Sequence, residues 1–191
     1  MFRPPVALAF VVLHGLAQPL AARPQTYVLD PAGSEVAFEI GVGKNPLRGV
    51  MPVSRADLTL DFDHAAASRV DVTLDVTGAR MALPFATEAV KGAQVLDAAR
   101  FREIRFQSLR LNANGQTAAV DGNLTIRGIT RPITLAAQIF RPKGSVEGDR
   151  SALIVHLKGT VSRSAFGASG YGDLVGDPVA IDIRARILLR K

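Results

Sequence analysis

The clearest signal in the chain is strict alternation of apolar and polar residues. Leu58, Leu60 and Phe62 alternate with Thr59 and Asp61, and Val70, Val72, Leu74 and Val76 alternate with Asp71, Thr73 and Asp75. Side chains of an extended strand point to opposite faces at a period of two, so each segment predicts a strand that is apolar on one face and wet on the other. Upstream, Tyr27-Val28-Leu29-Asp30 and the set Val36, Phe38, Ile40 predict two short strands. A turn at Pro31-Ala32-Gly33-Ser34 separates them, and a loop over residues 41–49 follows.

Downstream, Ile104, Phe106 and Ser108 begin a strand, and residues 116–127 and 130–141 predict a hairpin through Gly128. Val120, Leu124 and Ile126 on its first arm and Ile133, Leu135, Ala137 and Ile139 on its second form the apolar face. Pro132 has no N–H for a ladder, which predicts the first position of the second arm rather than its middle. Leu153, Val155 and Leu157 mark a further strand, and Val179, Ile181, Ile183, Ala185 and Ile187 mark the last. Turn residues at 112–115, 142–149 and 170–178 separate these segments.

The period changes once. Ala86, Ala89, Val90, Ala93 and Leu96 fall on one face at helical spacing, predicting a short helix near residues 86–99, with Gly92 weakening it by about 1 kcal/mol relative to Ala. Just before it, Met81, Leu83 and Phe85 are apolar residues in a Gly- and Pro-bearing stretch, placed to form a hydrophobic lip or to tuck into the core. About eight long strands with short connections predict an all-β protein, either a sandwich or a closed antiparallel barrel. Closure is favoured because strands of this length otherwise leave exposed edges.

Composition narrows the class. The 191 residues contain no Cys and no Trp, with 48% apolar and 21% charged residues, an ordinary globular balance. A chain of this size buries about 70% of its unfolded surface, so no disulfide or metal staple is needed. The missing Cys removes thiol catalysis, Cys-based zinc sites and a lipoprotein anchor. Residues 1–22 stand apart: Arg3 precedes the apolar run Val6 to Leu13, and Ala21-Ala22 ends the segment, the pattern of a secretory signal peptide cleaved after Ala22. The alternative is a retained membrane anchor, against which His14 and Gly15 interrupt the apolar stretch. Residues 23–191 are then a single exported domain. Loss of Arg3 leaves 22 basic residues against 17 acidic, a net charge of +5. That charge favours transient contact with anionic membrane surfaces, while the scattered Lys and Arg without aromatic interleaving give no nucleic-acid motif.

Few side chains offer chemistry. His14 leaves with the signal segment, His64 lies in a polar turn and His156 shares a strand face with Lys158, so no metal set can be built. Gly167-Ala168-Ser169-Gly170-Tyr171-Gly172 resembles a nucleophile elbow only loosely, with Tyr171 where a glycine belongs and no helix after it. Asp61, Asp63, Asp71 and Asp75 read as a solvated face. No enzyme, metal or organic cofactor is expected.

Longer motifs carry a resemblance. Gly122, Leu124, Thr125, Gly128, Thr130, Pro132 and Leu135 in the hairpin, Phe106 and Ser108 before it, Arg163, Phe166 and Gly167 later, and Gly176, Asp177 and Val179 at the last strand match the pattern of the YceI-like, polyisoprenoid-binding family of bacterial periplasmic proteins. The resemblance spans roughly residues 27–189. The chain departs from the family pattern in its first half. Glu35 stands near a common histidine, Gly41-Val42-Gly43-Lys44 replaces a histidine, leucine, glycine motif, and Arg102 replaces a proline. The resemblance implies an eight-stranded, extended lipocalin-like barrel with a helix near one end and a long apolar tunnel for an isoprenoid chain.

A barrel of about eight strands either fills its interior or holds one slender ligand. Small inward candidates, Ala137, Ala185 and Ser108, among larger ones leave room for a ligand. The expected ligand-contacting set is Phe38, Ile40, Leu58, Leu60, Val72, Leu74, Phe85, Phe106, Leu135, Ala137, Ile139, Val155 and Phe166. The expected function is therefore a non-enzymatic periplasmic carrier of a polyisoprenoid, isoprenoid quinone or other lipid. The alternative is an interaction or stress-protection protein with a filled barrel.

Overall fold

Residues 24–190 are described by a computed structural model; the signal segment expected over 1–22, its cleavage site and His14 lie outside the described residues. In chain order the elements are β1 Gln25–Val42, β2 Asn45–Val50, β3 Val53–Leu60, β4 Arg69–Asp75, β5 Arg80–Met81, α1 Pro84–Lys91, β6 Glu103–Asn114, β7 Thr117–Ile126, β8 Ile129–Phe140, β9 Ala152–Ser162 and β10 Val175–Leu189. All pairings are antiparallel. The order β10-β9-β8-β7-β6-β4-β3-β1, with β1 pairing back onto β10, closes an eight-stranded barrel; β2 and β5 extend from the upper part of β1. Closure removes the sheet edges that strands of up to 18 residues would otherwise expose. The alternation that predicted strands assigns their faces: Val179, Ile181, Ile183, Ala185 and Ile187 all point inward.

The first half differs from the sequence expectation. Pro31 to Ser34 do not reverse the chain but form a bulge inside one long strand. Between the pairs Asp30↔Arg186 and Glu35↔Arg184, four residues of β1 face one of β10. The Asp30 carboxylate accepts from the Ala32 N–H and the Arg186 guanidinium, while the Ser34 hydroxyl donates to the Asp30 carbonyl at 2.7 Å and accepts from the Arg186 N–H at 2.9 Å. The bulge shifts the inward set from Tyr27 and Leu29 to Val36, Phe38, Ile40 and Val42. Residues 41–49 are likewise not a loop: β1 turns at Gly43-Lys44 and returns as β2.

The helix is earlier and shorter than the expected 86–99. Pro84 occupies its first turn, where a missing N–H costs nothing, and the Thr87 hydroxyl accepts from the Met81 N–H at 2.9 Å. It ends at Gly92, whose ψ of 162° is incompatible with another turn. The chain from there to Arg100 is a series of turns held by hydrogen bonds back to Val90, Lys91 and Gly92. Pro132 is also not at a strand start. β8 begins at Ile129, and Pro132 is tolerated because β9 joins β8 only from Ala136 onward, leaving the ladder on that side open. The hairpin tip itself is Arg127-Gly128, both with positive φ (51° and 73°), the two-residue connection whose twist matches paired strands.

Two polar residues expected on a wet face are covered. Asp61 is buried and caps the backbone, accepting from the N–H groups of Asp63 and His64, and Thr73 is buried in register between Arg55 and Arg105. Elsewhere the outer face carries ion pairs. Hydrogen bonding from Arg186 holds the Asp30 carboxyl below its ordinary range, and hydrogen bonding from Arg105 does the same for Asp71. A depressed carboxyl contributes stability that is complete above the unfolded pKa, roughly 4, and is lost as pH falls through the folded value. The melting temperature should therefore fall on acidification below about pH 4. In Asp30→Asn that fall should be shallower, which thermal scans across this pH range would read directly.

Candidate ligand cavity

The inward faces of the strands do not meet. They enclose a cavity of about 890 Å³ that runs along the barrel axis. At one end it is plugged: Tyr27, Leu58, Leu153 and Ile187 form a buried cluster with Phe62 beside it. The Tyr27 ring meets Phe62 edge-on at 6.2 Å, and its hydroxyl donates to the Arg150 carbonyl at 2.9 Å. Burial pushes that hydroxyl's pKa up, so it stays a neutral donor.

The other end is formed by three segments. The β1–β2 turn supplies Val42, Asn45 and Pro46, the entry to α1 supplies Leu83 and Phe85, and the loop between β9 and β10 supplies Tyr171 and Leu174. The Gly43 N–H donates to the Leu174 carbonyl at 3.2 Å, tying the first segment to the third. Met81 pairs with Gly49 and the Ala82 N–H donates to the Arg48 carbonyl, which lays the second segment beside β2. Above the cavity, α1 turns Ala86, Ala89 and Val90 inward, and Val95 and Leu96 continue that cover. Arg127 at the hairpin tip donates to the Ala93 and Val95 carbonyls and so fixes the cover to the barrel.

Arg163 holds the third segment. Its guanidinium is buried and donates to the carbonyls of Ala168, Gly170, Val175 and Gly176, with the last three at 2.7, 2.8 and 2.9 Å. A buried cation needs its donors satisfied, and here loop carbonyls satisfy them. Asp177, on the same turn, is kept well ionised chiefly by hydrogen bonds from Ser162 and Ser164.

All thirteen residues expected to contact a ligand lie on the cavity wall: Phe38, Ile40, Leu58, Leu60, Val72, Leu74, Phe85, Phe106, Leu135, Ala137, Ile139, Val155 and Phe166. Leu83 and Phe85 are exposed lip residues, whereas Met81 is buried. Ser108, read as a small inward residue, instead spends its hydroxyl accepting from the Val70 N–H at 2.8 Å beside a bulge that turns Leu109 outward. Sequence reasoning missed Val42, Tyr171 and Leu174 at the mouth and the role of Arg163. Leu174 alone offered a signal, as an apolar residue in an otherwise Gly- and Asp-bearing loop. The wall is apolar almost throughout, with polar side chains only at Ser34 and Arg184 beside the bulge and at Asn45, Arg163 and Tyr171 near the mouth. The interior is not filled by side chains, contrary to the alternative of a packed barrel.

Ser169, His64 and His156 lie apart from one another. Ser169 lies in the mouth-end loop, His64 follows β3 at the plugged end, and His156 packs edge-on against Phe140 at 5.3 Å on the outer wall. Among the described residues no group of three or more His, Asp or Glu could hold a metal ion, and no helix is long and apolar enough to cross a membrane.

Comparison with known proteins agrees with the geometry. The YceI-like domain family matches residues 27–187. A UPF0312 protein of Vibrio vulnificus is 28% identical over 127 residues, covering 64% of this chain and 67% of that protein. Among solved structures, BcnA of Burkholderia cenocepacia superimposes with a TM-score of 0.74 at 22% identity, covering 83% of this chain and 99% of that one. A polyisoprenoid binding domain from Saccharophagus degradans, implicated in plant cell wall breakdown, gives 0.66 at 9% identity over 87% of this chain and 99% of that domain. At these identities the structural matches establish the barrel fold.

Proposed function

This chain belongs to the YceI-like domain family, and on that premise we propose that it is an exported carrier that holds a long apolar ligand, a polyisoprenoid or isoprenoid quinone, inside its barrel without chemically converting it. The observation that carries the reading is the cavity. At about 890 Å³ it lies at the upper end of the roughly 300–1,000 Å³ typical of small-molecule sites. Its wall offers a ligand almost nothing but hydrocarbon and aromatic contact. Withdrawing a polyprenyl chain from water is worth about 0.8 kcal/mol per methylene-sized unit, and lipid tails in a bilayer offer nearly the same environment. The net preference over membrane is therefore small, which suits reversible uptake and release.

The plugged end and the mouth opposite it orient the ligand: the tail enters first and a polar headgroup stays near Asn45 and Tyr171. Titration of the delipidated protein with the apolar fluorophore N-phenyl-naphthylamine tests the reading. Saturable enhancement at one site, reversed by a polyprenyl alcohol, supports it; no saturable uptake by folded protein sinks it. Export is supported by the pattern of residues 1–22. Secreted material should begin at or near Arg23 by intact mass, and a mature protein that starts at Met1 would contradict export.

A further inference from the structure

The mouth is surrounded by apolar side chains that the protein leaves in water. Among the described residues, five of the ten exposed large apolar side chains belong to its three segments: Phe85 at 73% exposure, Leu174 at 68%, Tyr171 at 49%, Leu83 at 43% and Val42 at 36%. The other five, Val28, Leu109, Ile129, Phe140 and Val146, do not line the cavity. Each of the rim residues also lines the cavity, so the rim is the outward continuation of the cavity wall. Such clustering is unusual for a surface that meets only water.

Tyr171 adds a second observation. Its φ is +60°, a left-handed conformation that disfavours a bulky L residue, and the turn is held there by the Leu174 and Val175 N–H groups donating to the Tyr171 carbonyl. The neighbouring positions 170 and 172 are glycines, yet the strained position carries an aromatic ring that is half exposed. Internal packing does not account for a tyrosine there. A tyrosine does suit an interface that is apolar on one side and wet on the other.

We infer that this rim is a docking surface for a lipid bilayer, seated so that the cavity opens directly into the hydrocarbon region. The inference rests on the carrier reading of the cavity, since a ligand taken from a membrane need not then cross water. The charges beside the rim indicate the kind of bilayer. Lys44 and Lys91 are matched in number by Glu88 and Asp173, and among the described residues none of the four forms an ion pair, while Arg48 is engaged by Glu35 and Glu39. The surface therefore attaches through its apolar side chains, which partition into the interface at any lipid charge. Docking needs no anionic lipid and is insensitive to salt.

The test is flotation of the mature protein with phosphatidylcholine vesicles, with and without phosphatidylglycerol, at low and high salt. Wild type should float with pure phosphatidylcholine at both salt concentrations. The combined variant Phe85→Ser, Tyr171→Gly and Leu174→Ser should lose roughly tenfold or more in partitioning, because side chains of this size each carry about that factor when fully buried. Its melting transition should match wild type, the three side chains being exposed and Tyr171→Gly relieving the left-handed backbone; Phe85→Ser alone serves as a milder second variant. A control of Leu109→Ser, Phe140→Ser and Val146→Ser, equally apolar but away from the mouth, should float as wild type does. Three results would overturn the inference: equal flotation of rim variant and wild type, flotation only with phosphatidylglycerol and lost in salt, or a rim that mediates self-association without vesicle binding. Fluorophore uptake by delipidated wild type in vesicle-free solution separates the two readings. Uptake without flotation ends the docking inference alone, and flotation without uptake ends the carrier reading.

Discussion

Leu135→Asp should destabilise the protein by about 3–5 kcal/mol, a large share of the roughly 5–15 kcal/mol of a typical domain. Leu135 is 5% exposed, on the inward face of β8, packed with Val120 and Ala137. A carboxylate there has no cation and no donor within an apolar wall, so its ionised form is desolvated without compensation. Burial raises such a carboxyl's pKa, so the damage should lessen as pH falls through that raised value toward the ordinary carboxyl range, opposite in sign to the acid sensitivity expected from Asp30 and Asp71. Ala136→Asp is the control: the next residue is exposed and pairs in register with Lys158, so little change is expected. Chemical denaturation of both variants checks the assignment, and equal losses would mean that the strand faces are inverted.

Ala185→Phe should abolish most ligand uptake while leaving the barrel folded. Ala185 lies in the second half of β10, between Ile183 and Ile187 and next to the plug cluster, and its methyl faces the cavity, only partly covered. A phenyl ring there projects into the space a ligand chain must occupy. Overpacking typically costs about 1–3 kcal/mol, and part of that is offset here because the ring fills a void instead of displacing a neighbour. Affinity for an apolar fluorophore should fall by roughly tenfold or more, a loss of a few buried methylene equivalents. Ala180→Phe, on the exposed face of the same strand, should bind as wild type does. Unchanged uptake by Ala185→Phe would place the ligand elsewhere.

The wall of the cavity was legible in the sequence because a period of two is a local property. Phe38, Leu74, Leu135 and Val155 each announce their face through their immediate neighbours. Features decided by distant contacts were not legible. Pro31-Ala32-Gly33-Ser34 has the composition of a reversing turn, and whether the chain reverses depends on Asp30 and Ser34 meeting Arg186, more than 150 residues away. The helix was displaced because apolar spacing continues past Gly92 into turns that cover the cavity just as a helix would. Arg163 is recognisable in the sequence as part of a motif, but its role requires four carbonyls from residues 168–176. The rim was half visible: Leu83 and Phe85 stand out beside Pro84, whereas Tyr171 and Leu174 acquire meaning only when the β9–β10 loop is laid against the β1–β2 turn.

The central claim is that the barrel interior is a ligand site, and its most direct test is the composition of the purified protein itself. An apolar space of this size next to a mouth open to lipid should not stay empty, so a host lipid should survive purification. Organic extraction of the mature protein followed by quantitative mass spectrometry should return a polyprenyl or isoprenoid quinone species near one equivalent, and Ala185→Phe should return much less. Extraction that yields no lipid from folded wild-type protein, or the same yield from both proteins, would contradict the account.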